Sequence, residues 1–222
     1  MTGGQVDREQ RRAVDGRVPG ERGRATRRRF LDQTRRMLVD TSYRDLKVVD
    51  IARASGTSPA TFYQYFADAE DALLALAEDL VTEGRQRLTT PVLEGDWSDD
   101  GAYETCENIA AAFLGFWDDH GSLLAVIDLA ALEGDDRFRT LRTNVLNSFT
   151  EAIGQVVRDQ QSAGHLPADL DATATAAVLV AMLAHVSGHR YGIEAYGTST
   201  DAIRRSMARL LYSGVTGAGP PG

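Results

Sequence analysis

Residues 48–66, VVDIARASGTSPATFYQYF, leave this chain few ways to fold. Ile51 and Ala52 fall on one face of a short helix, and Ala52 is small enough for a second helix to cross close to it. Gly56, four residues on, is the residue type that adopts a left-handed conformation without steric cost, so it ends the first helix and turns the chain. Ser58 can cap a new helix with its hydroxyl, and Pro59 at the first helical position lacks only an N–H that has no helical partner there. Within that second helix Phe62 and Phe66 lie four apart and pack inward, which turns Pro59, Ala60, Thr61, Tyr63 and Gln64 toward the open side. Two short helices joined by a tight glycine turn form the helix-turn-helix layout, whose second helix enters the major groove of DNA.

Residues on either side extend the pattern: Thr26-Arg27 and Phe30-Leu31, then Asp50-Ile51-Ala52, Ser55-Gly56-Thr57-Ser58 and Thr61-Phe62-Tyr63-Gln64-Tyr65-Phe66. Together they resemble the N-terminal domain of the tetracycline-repressor (TetR) family of bacterial one-component regulators, over residues 25 to 80, and the TFYQYF ending is the most specific part. The resemblance implies double-stranded operator DNA as a partner, a homodimer formed through the last two helices, and a helical body that encloses an effector pocket. It makes Arg27, Arg28, Arg29, Lys47, Ser58, Pro59, Ala60, Thr61, Tyr63, Gln64 and Tyr65 the candidate DNA-binding residues. Two positions depart from the family pattern. Lys47, the only lysine in the chain, stands where Ser or Thr is usual, and Ala69 stands where a phosphate-contacting Lys is frequent. These changes shift the electrostatic work to arginines 27 to 29 and to Lys47.

Charge is divided in the same sense. Residues 1–66 hold 14 Arg and Lys against 8 Asp and Glu, while the remaining residues hold 10 against 24. A basic headpiece attracts a phosphate backbone, and an acidic body discourages non-specific coating of DNA. Three arginines in the first turn of a helix starting at Thr26 oppose the helix dipole unless something negative lies nearby; in the family that resemblance names, DNA phosphate supplies it.

Residues 1–24 carry arginines but few aliphatic side chains, so they are expected to be a disordered basic arm. The helix-turn-helix domain is expected over 25–67, with its first helix running from a Thr26 cap to about Asp40 on an inward stripe of Phe30, Thr34, Met37 and Leu38. A fourth helix follows an Asp68 cap. Residues 91–100 read as a loop. Glycines 121, 134, 164, 188, 192 and 197 then punctuate helices near 100–119, 122–133, 135–163, 170–190 and 200–213, with no strand alternation anywhere. The expected fold is therefore all-α: a three-helix headpiece joined to a larger effector-binding and dimerisation body over 68–214, with a disordered tail at 215–222. Two-fold pairing is expected through the Ala-rich run 172–184 and the stripe Ile203, Met207, Leu210 and Leu211.

The body is rich in large apolar side chains. Phe113, Phe116, Trp117, Leu124, Ile127, Phe138, Val145, Phe149, Met182 and Val186 are candidates to line a pocket for a hydrophobic or amphipathic effector. Asp128 and His185, polar exceptions on apolar helices, are candidates to hydrogen-bond it.

Catalytic and metal readings find little support. The chain has no Gly-rich phosphate loop, no G-x-S-x-G and no H-E-x-x-H, and its single Cys106 excludes an intrachain disulfide. His185 and His189 lie four apart on one helix face, but two imidazoles make a weak metal site, so no metal and no cofactor is expected. The start MTGGQVDREQRR has no apolar signal core, and the run 172–184 falls short of the ~20 apolar residues of a membrane helix. A cytoplasmic protein with no membrane partner is expected. Two other readings stay open: an effector-free architectural DNA-binding protein, if the body has no cavity, and a small-molecule carrier or enzyme with a vestigial headpiece.

Overall fold

The computed structural model describes residues 20–220, so the expected arm lies almost wholly outside it. Within those residues every regular element is helical. The order is α1 (Glu21–Met37), a 3₁₀ turn (Tyr43–Asp45), α2 (Val48–Ala54), α3 (Pro59–Phe62), α4 (Ala69–Leu93), α5 (Ala102–Leu132), α6 (Asp136–Ser162), α7 (Ala172–Glu194) and α8 (Thr200–Thr216).

The headpiece is built around aromatic rings that the sequence spacing brings inward. Phe30 of α1 meets Phe62 edge-on at 5.1 Å, and Phe62 lies 5.4 Å from Phe66. All three are essentially inaccessible to solvent, together with Ile51 and Ala52. Burying a Phe contributes about 1.5–3 kcal/mol, so this cluster dominates the stability of a domain this small. α4 then leaves the headpiece. Asp68 caps it by accepting from the Asp71 N–H at 2.8 Å, and Leu73, Leu76, Leu80 and Leu88 form its buried stripe. The helix packs against α1 at one end and against α5 and α6 further on.

Several boundaries differ from those expected. α1 begins at Glu21, so Arg22 and Arg24 of the expected arm are helical; Thr26 lies inside the helix, with its hydroxyl donating to the Arg22 carbonyl. α4 continues through Pro91 to Leu93, which moves the loop to residues 94–101. Gly121 does not divide the next segment, and α5 is one helix of 31 residues. The ~1 kcal/mol that glycine costs a helix interior is outweighed by burial of His120, Leu123 and Leu124 beside it. α8 reaches Thr216, two residues into the expected tail.

α7 spans 23 residues and is, by length and composition, long and apolar enough for a membrane span where the shorter run 172–184 had fallen short. Its Ala176, Leu179, Val180 and Leu183 are buried in the body. On α8, Ile203, Met207 and Leu211 of the expected pairing stripe are buried in the protomer, where α8 packs on α5; only Leu210 faces out, 59% exposed. The outward faces of the last two helices are instead Ala174, Ala177, Val178 and Ala181 on α7 and Ser206 and Leu210 on α8. Periodicity located the stripe on α8 but could not say which partner covered it.

Candidate DNA-reading surface and body cleft

The turn before α3 is set by local chemistry. Gly56 takes φ +67°, and the Thr57 N–H returns to the Ala52 carbonyl at 2.9 Å. Ser58 is extended, and its hydroxyl oxygen accepts from the Thr61 N–H at 3.2 Å, with the Thr61 hydroxyl 3.0 Å away. α3 itself is a single turn, shorter than the helix to Phe66 that the sequence suggested. Residues 63–65 continue as tight turns, held by Gln64 N–H to Thr61 and Tyr65 N–H to Phe62 carbonyls at 3.3 and 2.9 Å.

This geometry sorts the candidate reading residues. Arg28, Arg29, Lys47, Ser58, Ala60, Tyr63 and Gln64 are exposed, and Pro59, Thr61, Tyr65 and Arg27 are half-buried. Tyr65 tilts against Phe30 at 5.8 Å. The Arg27 guanidinium lies over the Phe66 ring at 5.1 Å and lines a cleft between headpiece and body with Asp71, Glu78 and Arg137. Lys47 precedes α2 in an extended conformation, and its side chain makes no capping bond.

A second concavity, about 940 Å³, opens between α5, α6 and α7 of the body. Of the candidate effector residues, Trp117, Leu124, Ile127, Asp128, Val145 and His185 line it. Phe113, Phe116, Phe138 and Phe149 do not. They are fully buried, Phe113 meeting Phe149 edge-on at 4.8 Å and stacking beneath Trp117 at 5.7 Å. Met182 and Val186 are partly buried against the core, outside the lining. The floor of the cleft is therefore one aromatic layer, Trp117, resting on a packed core.

Its charges come in pairs. Arg142 of α6 donates to Asp128 of α5 at 2.6 Å, and Arg190 of α7 donates to Asp118 of α5 at 2.9 Å. Asp118 holds the Arg190 guanidinium above its ordinary value, chiefly through that hydrogen bond. His185 and His189 stack at 4.3 Å, and α7 departs from helical geometry at His189, with φ −121° and ψ 16°. Among the described residues no three His, Cys, Asp or Glu side chains group as metal ligands. Sequence reasoning missed Asp118, Arg142, Ser187 and Arg190. Arg142 and Arg190 interrupt otherwise apolar helix faces, a signal that was present but unassigned.

Residues 30–76 match the family model of bacterial regulatory proteins of the tetR family, and residues 88–222 match the tetracyclin repressor-like C-terminal domain. No curated protein matches the sequence. Among solved structures the chain is similar to the fatty acid degradation regulator FadR from Bacillus halodurans, with a TM-score of 0.68 and 16% identity over 90% of this chain and 98% of that one. It is also similar to the transcriptional regulator FadR from Bacillus subtilis in complex with stearoyl-CoA, with a TM-score of 0.66 and 17% identity over 85% and 98% of the two chains. Salmonella enterica GusR gives a TM-score of 0.66 and 20% identity over 87% and 96%. At these identities the likeness is one of fold.

Proposed function

We propose that this chain, which belongs to the TetR family of transcriptional regulators, is a cytoplasmic repressor that binds operator DNA as a homodimer and is released by a hydrophobic or amphipathic small molecule. The observation that carries this reading is the path of α4. It starts at Ala69 behind the Asp68 cap, directly after the reading segment, and packs along α5 and α6, two of the three helices that wall the body cleft. A ligand that prefers one spacing of α5 and α6 therefore biases the angle of the headpiece through α4. Two headpieces must meet major grooves about 34–36 Å apart, or a multiple of that, so a change of angle weakens both contacts at once.

The apolar lining of the cleft supports the effector class, as does the stearoyl-CoA held by the Bacillus subtilis relative, a molecule with a long apolar part. The cleft supports an effector-responsive reading over an effector-free architectural one. Arg28, Arg29 and Lys47 serve as phosphate contacts, and Thr61, Tyr63 and Gln64 as base contacts. Pairing of protomers uses the small outward side chains of α7 with Leu210 of α8.

The test is selection of bound fragments from a genomic library by the purified protein, followed by anisotropy titration of the enriched fragment with and without hydrophobic compounds. A palindromic site whose affinity falls on compound addition is expected. Equal affinity for all fragments, or a monomer at micromolar concentration in light scattering, would overturn the reading.

A further inference from the structure

We infer that the body cleft selects an uncharged, mainly apolar ligand bearing a carbonyl-type acceptor, held by the Ser187 hydroxyl and the Trp117 indole N–H. This rests on the reading of the cleft as the effector site. Ser187 is 5% exposed and lines the cleft, and its hydroxyl has no hydrogen-bond partner among the described residues. A serine or threonine inside a helix ordinarily returns its hydroxyl to the carbonyl four residues earlier. Thr150, which also lines the cleft, does so to Leu146 at 3.0 Å, and Ser206 does so to Ala202 at 2.9 Å. Ser187 does not, and leaving a buried hydroxyl unpaired costs stability unless something else binds it.

The neighbouring residue brings a second donor to the same wall. A Cβ at Gly188 would lie 3.0 Å from the Trp117 indole nitrogen, so the N–H edge of the ring rests against the α7 backbone beside Ser187. No hydrogen bond joins that N–H to another described residue, though unlike the Ser187 hydroxyl it is not a fully buried, unpaired atom. An indole N–H can only donate, so the group that satisfies both positions is an acceptor.

Charge decides between an ionised acceptor and a neutral one. The cationic side chains Arg142 and Arg190 of the lining are already engaged by Asp128 and Asp118, and the stacked imidazoles of His185 and His189 are exposed. A carboxylate or phosphate beside Ser187 would be desolvated without a free counter-ion, whereas a carbonyl oxygen needs only the two donors. Leu124, Ile127, Val145 and Val180 supply the apolar walls.

The full-length protein is titrated calorimetrically with three ligands of matched shape, 2-acetylnaphthalene, 2-ethylnaphthalene and 2-naphthoate, and with the linear set tridecan-2-one, tridecane and dodecanoate. The expected result in at least one set is that the ketone binds roughly tenfold more tightly than its hydrocarbon and more tightly than its carboxylate. Ser187→Ala should remove the ketone's advantage while leaving hydrocarbon binding unchanged. Without ligand, S187A should melt no lower than the wild type, since no hydrogen bond within the protein is lost. A lower melting temperature, a carboxylate that binds as tightly as the ketone, indifference of the ketone to S187A, or absence of binding in both sets overturns the inference. Anisotropy of the enriched DNA fragment, read in parallel, judges the regulatory reading separately: selective ketone binding without DNA release sinks the repressor mechanism and leaves the anchor standing.

Discussion

The Tyr43 hydroxyl donates to the Glu133 carboxylate at 2.5 Å, joining residues 90 positions apart, and Arg44 forms an ion pair with the same carboxylate. Tyr43 belongs to the headpiece, and Glu133 ends α5, whose last turns line the cleft. Two residues further on, Asp135 pairs with Arg137, which also pairs with Glu70 of α4. The α5–α6 turn is thus fastened to the headpiece and to the start of α4 together.

These side chains are substantially exposed, so solvent screening leaves them little effect on stability. Under the proposed mechanism they lie on the route from the cleft to the headpiece. In Tyr43→Phe combined with Glu133→Ala, the ratio of operator affinities without and with a releasing ligand should fall by roughly fivefold, while the melting temperature changes little. Comparing the two anisotropy titrations checks this; an unchanged ratio would show that α4 alone carries the signal.

Reading of DNA here must proceed without guanidinium groups in α3, since no Arg or Lys occurs from Ser58 to Phe66. Gln64 can bond adenine N6 and N7, and Tyr63, 52% exposed, offers apolar surface to thymine methyl groups. Gln64→Ala or Tyr63→Ala should cost about 1–3 kcal/mol on the operator and relax preference at particular base pairs. Lys47→Ala should weaken all sequences alike and reduce the slope of log affinity against log salt by about one. Binding to a panel of single-base operator variants at several salt concentrations separates the two behaviours. A Lys47 variant with altered base preference would invert the docking.

Local signals were legible where one residue acts on its near neighbours. Gly56, Ser58 and Asp68 sit where the sequence put them because a left-handed turn or an i to i+3 cap needs no distant partner. Thr26 misled because a hydroxyl caps only if the chain enters the helix there; in a helix already begun it turns to the Arg22 carbonyl. Phe113 and Trp117 lie four apart on one inward stripe, yet one is core and the other cleft floor. Periodicity gives a face, not the distance to what opposes it. The Tyr43–Glu133 and Arg142–Asp128 pairs depend on tertiary placement, and Ser187 became conspicuous only once its surroundings lacked an acceptor.

Gly188 permits the close approach of Trp117 to α7. In Gly188→Ala the new methyl would stand 3.0 Å from the indole nitrogen and 3.2 Å from Cδ1, tighter than normal packing, so the ring must shift. Alanine also favours helix over glycine by about 1 kcal/mol, which offsets part of the strain. The expected outcome is a folded protein with altered tryptophan emission and at least severalfold weaker binding of cleft ligands. Wild-type emission together with wild-type ligand affinity would mean that the ring relaxes freely and the contact does not shape the cleft.

Asp135 opens α6 by accepting from the Arg137 N–H at 2.9 Å, and its carboxylate also receives the Arg137 side chain. That side-chain bond, with further backbone donors, holds its pKa at about 2, against an ordinary 3.8. A carboxyl whose folded value is depressed contributes stability that is complete above the unfolded value and is lost as pH falls through the folded one. Asp135→Ala should therefore destabilise the protein by about 1 kcal/mol at neutral pH through loss of the cap. The gap in melting temperature between the wild type and this variant should hold constant down to pH 4, then narrow toward pH 2 as the wild-type carboxylate is protonated. Thermal melts of both proteins across that window are the measurement, and a gap as wide at pH 2 as at pH 7 would show that the carboxylate's charge does not stabilise the start of α6.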